Sequence, residues 1–182
     1  MVKGEGEIGM KPFKAHLSEK DVIALAYLVG QRLDSIIATS TSLHVQNEAL
    51  DEYDSVLIEV NHQYISIHNT RLESEGFVRY WDVTKLHPSE LNREEEDEDN
   101  VLYHISVDQL FVTDIRGISI FAKEVETDEV TLMVDEMIVF DLEDGREVGL
   151  VARKEKSGVG ILFEKESINK IAQSCIERCR CG

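Results

Sequence analysis

Two runs of alternating apolar and polar residues flank an Asp144-Gly145 pair in the segment from Met137 to Val151. Alternation with a period of two is typical of a strand that buries one face. Asp-Gly between two such runs is the residue pair that a type I′ hairpin turn favours, since both central residues need a positive φ. The segment therefore predicts a β-hairpin, that is, an antiparallel pair of strands.

Further β-rich segments surround this hairpin along the chain. In the first half they are Leu33–Ala38, Ser55–Val60, Gln63–His68 with a turn near Asn61-His62, and Phe77–Val83. In the second half they are Val101–Ser106, Val107–Thr113, Ile115–Ala122, Val130–Val134 and Gly160–Glu164. In the strand after Asn61-His62, alternation places Ile65 and Ile67 toward the core, and Tyr64, Ser66 and His68 on the other face.

Two helices are predicted at the ends of this β-rich chain. Ser18 and Asp21 form a capping-box pattern, and Gly30 stands where a left-handed C-cap is expected, which predicts a helix over 18–29. A stripe of apolar residues from Ile168 to Cys179 predicts a second helix. The predicted fold is α+β: a largely antiparallel twisted sheet, or sheets, with an N-terminal and a C-terminal helix. A duplication of two similar β-rich halves stays open.

Net charge restricts the classes of partner. The 182 residues carry 19 Lys+Arg and 36 Asp+Glu, a formal charge of −17. An acidic chain repels nucleic-acid phosphates and anionic lipid surfaces, so we expect neither as a direct partner. The first eleven residues contain no apolar core of a signal peptide, and no stretch approaches the length of a membrane span. The three cysteines, all within Cys175–Cys181, suit a reducing cytoplasm.

The acidic charge is uneven, and its distribution suggests an organisation. Residues 146–182 carry eight Lys+Arg against five Asp+Glu, so the acidity belongs to the first four fifths of the chain. A dense acidic run cannot be buried and predicts a solvated loop. We expect a flexible leader at 1–12, a helix-plus-hairpin half at 13–86, an acidic loop at 87–100 and a β-rich half at 101–182, together forming one compact domain.

Local motifs for chemistry are weak. Cys175, Cys179 and Cys181 have neither Cys-x2-Cys spacing nor a nearby histidine, which favours a structural role over metal or redox chemistry. The sequence contains no phosphate-binding glycine loop, nucleophile elbow or His-Glu-x-x-His pattern. We therefore expect a protein that is not an enzyme, and we assign it no catalytic residue, cofactor or metal.

The sequence also combines aromatic residues with acidic charge. Aromatic rings provide contact area and carboxylates speed the encounter, so this combination favours binding of a basic protein. Adjacent strand residues point to opposite faces, so one of Tyr80 and Trp81 should lie in the core. A concrete form of this hypothesis is an immunity-type inhibitor that occupies the basic active site of a nuclease toxin. The expected partner-binding residues are Tyr53, Tyr80, Trp81, Glu94, Glu95, Glu96, Asp97, Glu98 and Asp99.

Two alternatives belong to other functional classes. The first is a small-ligand or metal-binding domain, or an enzyme, with a site in a sheet concavity that uses His62, His68 or the terminal cysteines. The second is a structural subunit of a larger assembly, which would expose an apolar patch. The sequence also leaves a homo-oligomer open.

Overall fold

A computed structural model of the protein describes residues 16–40, 51–53, 55–72, 78–86, 104–126, 131–152 and 158–182. The helices within these ranges are α1 (Glu19–Ala26) and α2 (Lys165–Ala172). The strands are β1 (Arg32–Ser40), β2 (Asp51–Tyr53), β3 (Ser55–Val60), β4 (Gln63–Leu72), β5 (Val78–Leu86), β6 (His104–Glu126), β7 (Thr131–Leu142), β8 (Glu147–Ala152), β9 (Val159–Leu162) and β10 (Ile176–Cys181).

The strands form a mostly antiparallel sheet in the order β2-β9-β8-β7-β6-β1-β3-β4-β5, and β10 adds to β6 outside this path. The expected α+β fold, with a helix near each end of the chain, is confirmed. Strand β6 pairs with different strands along its length: residues 104–114 pair with β1, and residues 115–126 pair with β7. We call β5-β4-β3-β1 the first sheet and β7-β8-β9-β2 the second sheet.

The two sheets share a core and also meet away from β6. The indole Nε1 of Trp81 in β5 donates to the carbonyl oxygen of Asp135 in β7 at 2.7 Å. The backbone N–H of Gly158 donates to the carbonyl oxygen of Asn69 in β4, also at 2.7 Å. The main core cluster draws on both sheets and on α1, with Ile36, Ile58, Ile67, Ile138 and Leu150 each fully buried. A smaller cluster lies beneath α2 and includes Met137, Leu162 and Ile168.

Helix α1 begins as its sequence predicts. The backbone N–H of Asp21 donates to Ser18 Oγ at 3.2 Å, and the backbone N–H of Ser18 donates to Asp21 Oδ2 at 3.0 Å. This reciprocal capping box satisfies N–H groups that the first helical turn leaves unpaired. Helix α1 ends at Ala26 with Tyr27 as its C-cap, so the predicted extent of 18–29, with Gly30 as a left-handed C-cap, was too long. Gly30 lies beyond this end with a φ of +78° and donates its N–H to the carbonyl oxygen of Ile115, which ties the chain after the helix to β6.

The two predicted hairpins, β3–β4 and β7–β8, both form. The type I′ turn that we expected between β7 and β8 occurs between β3 and β4 instead. Asn61 and His62, between β3 and β4, have φ values of +48° and +61°, as a two-residue type I′ turn requires. Between β7 and β8, Gly145 has a φ of +86° while Asp144 has no positive φ. The Gly145 N–H donates to the Leu142 carbonyl at 3.0 Å, so this is a three-residue loop with glycine in the bulge position, and the type I′ prediction at Asp144-Gly145 was wrong.

The strands predicted separately between 101 and 122 are continuous over the described residues. They form β6, which runs from His104 to Glu126. Val112 adopts a φ of +51°, and the pairing with β1 shifts register between Leu33 and Ser35. A bulge of this kind bends a strand without ending it, so β6 can change partners where separate strands were expected.

The predicted C-terminal helix is too long. Helix α2 ends at Ala172, and the segment containing Cys179 is strand β10, which pairs antiparallel with β6. The second half of β6 already pairs with β7 on one side, and β10 supplies hydrogen-bond partners on the other. Unpaired strand edges are costly, so this pairing outweighs the local helical periodicity.

Several expectations lie outside the described residues. They concern the leader at 1–12, the acidic loop at 87–100 and the placement of Phe77. The pairing of β1 with β6, and of β2 with β9, joins strands from the two predicted halves, while the division into 13–86 and 101–182 stays a prediction. In the part of the chain described here, no helix is long and apolar enough to cross a membrane.

Candidate interaction site

Of the three aromatic residues that the sequence suggested for partner binding, the structure describes the side chain of Trp81. Trp81 is only 5% exposed, and its N–H is occupied by the Asp135 carbonyl. Trp81 is therefore the core member of the Tyr80-Trp81 pair and offers almost no ring surface to a partner, which removes it from our partner-binding set. The side chains of Tyr53 and Tyr80 lie outside the described residues, as do Glu94, Glu95, Glu96, Asp97, Glu98 and Asp99.

A groove lies between α1 and the β3–β4 hairpin. It has a volume of about 280 Å³ and is lined on the helix side by Tyr27 and Leu28 and on the sheet side by Val60, Ile65 and the cationic Lys85. Leu28 and Val60 are 3% and 1% exposed. These two residues belong to the main core cluster, so the floor of the groove is part of the core itself. A rigid apolar floor of this kind suits the insertion of a partner's side chain.

Two apolar side chains on the outer side of α1 stand in solvent. Ile23 is 49% exposed and Tyr27 is 72% exposed. They are four residues apart, so they are neighbours on one helix face. Tyr27 also lines the groove, and the pair forms an apolar ridge along its edge.

The position of Ile23 in the helical sequence indicates this exposed ridge. At 3.6 residues per turn, Ile23 lies about 200° around the helix from Leu25. Leu25 is fully buried, so Ile23 must point away from the core. An apolar residue opposite the buried stripe of a short helix is the observation that would have indicated an exposed contact surface.

Polar groups close one end of the groove. Gln31, another lining residue, accepts a hydrogen bond at its Oε1 from Asn61 Nδ2 at 3.3 Å. The Gln31 side chain also donates to the Tyr27 carbonyl oxygen. These contacts connect the type I′ turn to the end of α1, so the helix and the hairpin hold a fixed separation at this end.

Ion pairs take up many of the described cationic side chains. Arg178 pairs with the fully buried Asp135 at 2.7 Å, and Arg116 pairs with Asp141 at 2.6 Å. Within residues 146–182, the described side chains of Arg146, Lys165, Arg178 and Arg180 each pair with an acid of the same chain. The remaining described pairs are Arg32–Asp34, Arg146–Asp144, Lys165–Glu147 and Arg180–Asp141.

His68 takes part in a polar cluster on the outer face of the first sheet. Its Nε2 hydrogen-bonds to Ser66 Oγ, and its direct cross-strand neighbour is Asp82. Burial lowers the pKa of His68, and the nearby Asp82 charge only partly offsets this effect. The order serine, histidine, aspartate resembles a hydrolase triad, but Ser66 is only 2% exposed, so its hydroxyl is closed to a substrate. We derive no hydrolytic step from this cluster.

The terminal cysteines are half-buried free thiols. Cys179 and Cys181 pack against the main core cluster. Burial raises the pKa of both Cys175 and Cys181, and the neighbouring Cys179 adds to the effect at Cys181. A raised pKa leaves less of the thiolate that binds metals or attacks electrophiles, which favours a structural role for these residues.

His62, the other histidine considered from the sequence, lies beside two carboxylates. Its ring Nδ1 is 3.7 Å from Glu59 Oε1, and its backbone N–H donates to Asp34 Oδ2 at 3.2 Å. Sequence reasoning missed Asp34 and Glu59 because they lie 28 and 3 positions from His62, in two other strands, with no motif spacing between them.

Comparison with protein-family models, with curated proteins and with solved structures finds no match to this chain.

Proposed function

We propose that the protein is an acidic binding domain that recognises a basic protein through the α1 groove. The observation that carries the proposal is the exposed Ile23–Tyr27 ridge beside a groove whose floor is core. Tyrosine is enriched at binding hot spots because its ring provides a large contact area at low entropic cost. Large apolar side chains that stay exposed next to a concave surface are typical of a contact site.

Charge determines the kind of partner in this proposal. The chain carries −17 overall, and four described cations of its C-terminal part, Arg146, Lys165, Arg178 and Arg180, pair with its own acids. A partner with a basic surface would be attracted electrostatically to this protein from a distance, whereas a partner with an acidic surface would be repelled. The acidic residues Glu94–Asp99 belong to this long-range attraction in our proposal, and the Tyr27 ridge provides the short-range contact.

The specific version of the proposal is an immunity-type inhibitor of a nuclease toxin. A nuclease binds phosphates through basic residues, and carboxylates can occupy the same positions. The proposed complex is cytoplasmic, since three cysteines confined to Cys175–Cys181 cannot form a distributed disulfide framework and suit a reducing compartment.

The test uses the protein encoded by the reading frame adjacent to this one as the probe, because a toxin and its inhibitor need to be produced together. We expect it to be a basic nuclease whose activity is abolished at a one-to-one ratio by the present protein. Tyr27→Ala should weaken the complex about 30-fold, the effect of losing a hot spot of about 2 kcal/mol.

Leu110→Ala is the matched control, because Leu110 is 71% exposed but lies on β6, away from the groove. We expect it to change the affinity by less than about twofold, as most surface contacts do. The proposal is wrong if the adjacent product neither binds nor is inhibited. Equal effects of the two substitutions would reject the groove as the contact site, and a Tyr27-dependent homo-oligomer would favour the assembly-subunit alternative.

A further inference from the structure

Three potential metal ligands converge where the β3–β4 turn meets β1. They are Asp34 from β1, Glu59 from β3 and His62 from the turn, and their ligand atoms all lie within 4.8 Å of one another. Asp34 occupies the bulge at which β1 shifts register between Leu33 and Ser35. Bulges redirect a side chain at a defined point, and here the redirected carboxylate meets the other two groups.

The backbone and neighbouring side chains hold the three groups in place. His62 has a φ of +61°, and its N–H donates to Asp34 Oδ2 at 3.2 Å. Ser35 Oγ donates to Glu59 Oε2 at 2.8 Å, and the Tyr64 hydroxyl also bonds to Glu59. Arg32 Nε donates to Asp34 Oδ1 at 2.6 Å. Each carboxylate oxygen has two lone pairs, so one hydrogen bond leaves it able to bind a cation. Such supporting bonds orient metal ligands in characterised sites.

Charge and access also suit a divalent cation. Two carboxylates face one guanidinium, which leaves an excess negative charge. The side chains of Asp34 and Glu59 are 12% and 19% exposed, whereas that of His62 is 81% exposed. The carboxylates thus form a partly buried base, and the imidazole stands at an open entrance.

We propose that Asp34, Glu59 and His62 form a Zn²⁺ site with its fourth position open to water. Carboxylate oxygen and imidazole nitrogen are both ordinary zinc ligands, and three protein ligands plus water form a known tetrahedral arrangement. An imidazole ligand disfavours Ca²⁺ and Mg²⁺, which prefer oxygen, and zinc binds such mixed ligands more tightly than Mn²⁺ does. The site is independent of the proposed protein partner.

The experiment is isothermal titration of ZnCl2 into the full chain, purified without a histidine tag and stripped of metal. We expect one Zn²⁺ per chain, and an affinity reduced at least tenfold in His62→Ala and in Glu59→Gln, as loss of a ligand or its support requires. Circular dichroism of each variant separates loss of the site from loss of the fold.

Two controls distinguish this site from the other zinc-binding groups of the chain. His68→Ala removes the other histidine discussed above, and the triple variant Cys175→Ser, Cys179→Ser, Cys181→Ser removes all thiols. Both should bind Zn²⁺ as the unmodified protein does, and the Co²⁺ form should lack a thiolate charge-transfer band. The proposal is overturned if the unmodified protein binds no Zn²⁺, if the cysteine variant loses it, if a folded His62→Ala keeps it, or if Ca²⁺ binds equally tightly.

Discussion

Individual buried polar residues illustrate why single-residue roles were hard to infer. Asp135 has no exposed surface, yet its carboxylate accepts from the Leu17 N–H at 2.7 Å and from Nε and Nη2 of Arg178, each at 2.7 Å. Its partners lie 118 and 43 positions away in sequence. No local pattern marks such a residue, because the pairing depends on the start of α1 and on β10, which lies across β6 from β7. The same reason applies to Asp34 and Glu59.

At His68, the shifted titration leads to a pH-dependent stability. Burial lowers the pKa of His68 below its ordinary value of 6.5, so the unfolded chain binds the proton more readily. The free energy of unfolding should therefore be highest above pH 6.5 and should decrease as the pH falls through 6.5 toward the folded pKa.

Urea denaturation of the unmodified protein and of His68→Gln, at a series of pH values in chelator-treated buffer, tests this expectation. The difference between the two proteins cancels the contribution of the other histidines. It should diminish as the pH falls below 6.5. A difference that is constant with pH would show that His68 is not destabilised by protonation.

The start of α1 and the two hairpins, which depend on neighbouring residues, were predicted correctly from the sequence. Strands that depend on pairing with a distant strand, such as β10, were not. The start of α1 was correct because Ser18 and Asp21 are three residues apart and act within one turn. The β3–β4 hairpin was correct because alternation and a two-residue turn are local features. The strand β10 was predicted as helix, because the residue pattern around Cys179 contains no information about the exposed edge of β6.

Strand β10 allows a matched comparison of two ion pairs. Arg178 is 30% exposed and pairs with the fully buried Asp135, whereas Arg180 is 59% exposed and lies 3.8 Å from Asp141. Arg178→Ala removes the bidentate cation and leaves the buried Asp135 carboxylate with the Leu17 N–H and the His16 ring, so it should lower the free energy of unfolding by about 3 kcal/mol. Arg180→Ala should lower it by less than about 1 kcal/mol, as expected for an exposed pair.

Equilibrium denaturation in urea measures both values under one set of conditions. Both substitutions lie on the same strand two residues apart, so general loosening of β10 would affect them alike. Similar losses for the two variants would contradict the larger contribution that we expect from the buried Asp135–Arg178 pair.

For the whole molecule, the fold class could be predicted from the sequence. Of the proposed interaction site, the sequence indicated the charge of the partner but not the contact surface. Strand alternation and two helical segments were enough for the α+β assignment. Net charge indicated a basic partner, but it could not show that Arg116, Lys165 and Arg178 pair with acids of the same chain. The exposed ridge of Ile23 and Tyr27 could be read only from the position of Ile23 opposite the buried Leu25, since burial depends on which side of the helix the sheet covers.

The central claim, recognition of a basic protein by an acidic surface, is tested most directly by the ionic-strength dependence of the association rate with the adjacent-frame product. We predict a rate that falls steeply as salt rises, because screening weakens long-range attraction. Replacing Glu94–Asp99 with Gln and Asn should slow association about tenfold at low salt and much less at high salt. An association rate that is the same at low and high salt, and unchanged by the replacement, would contradict the claim.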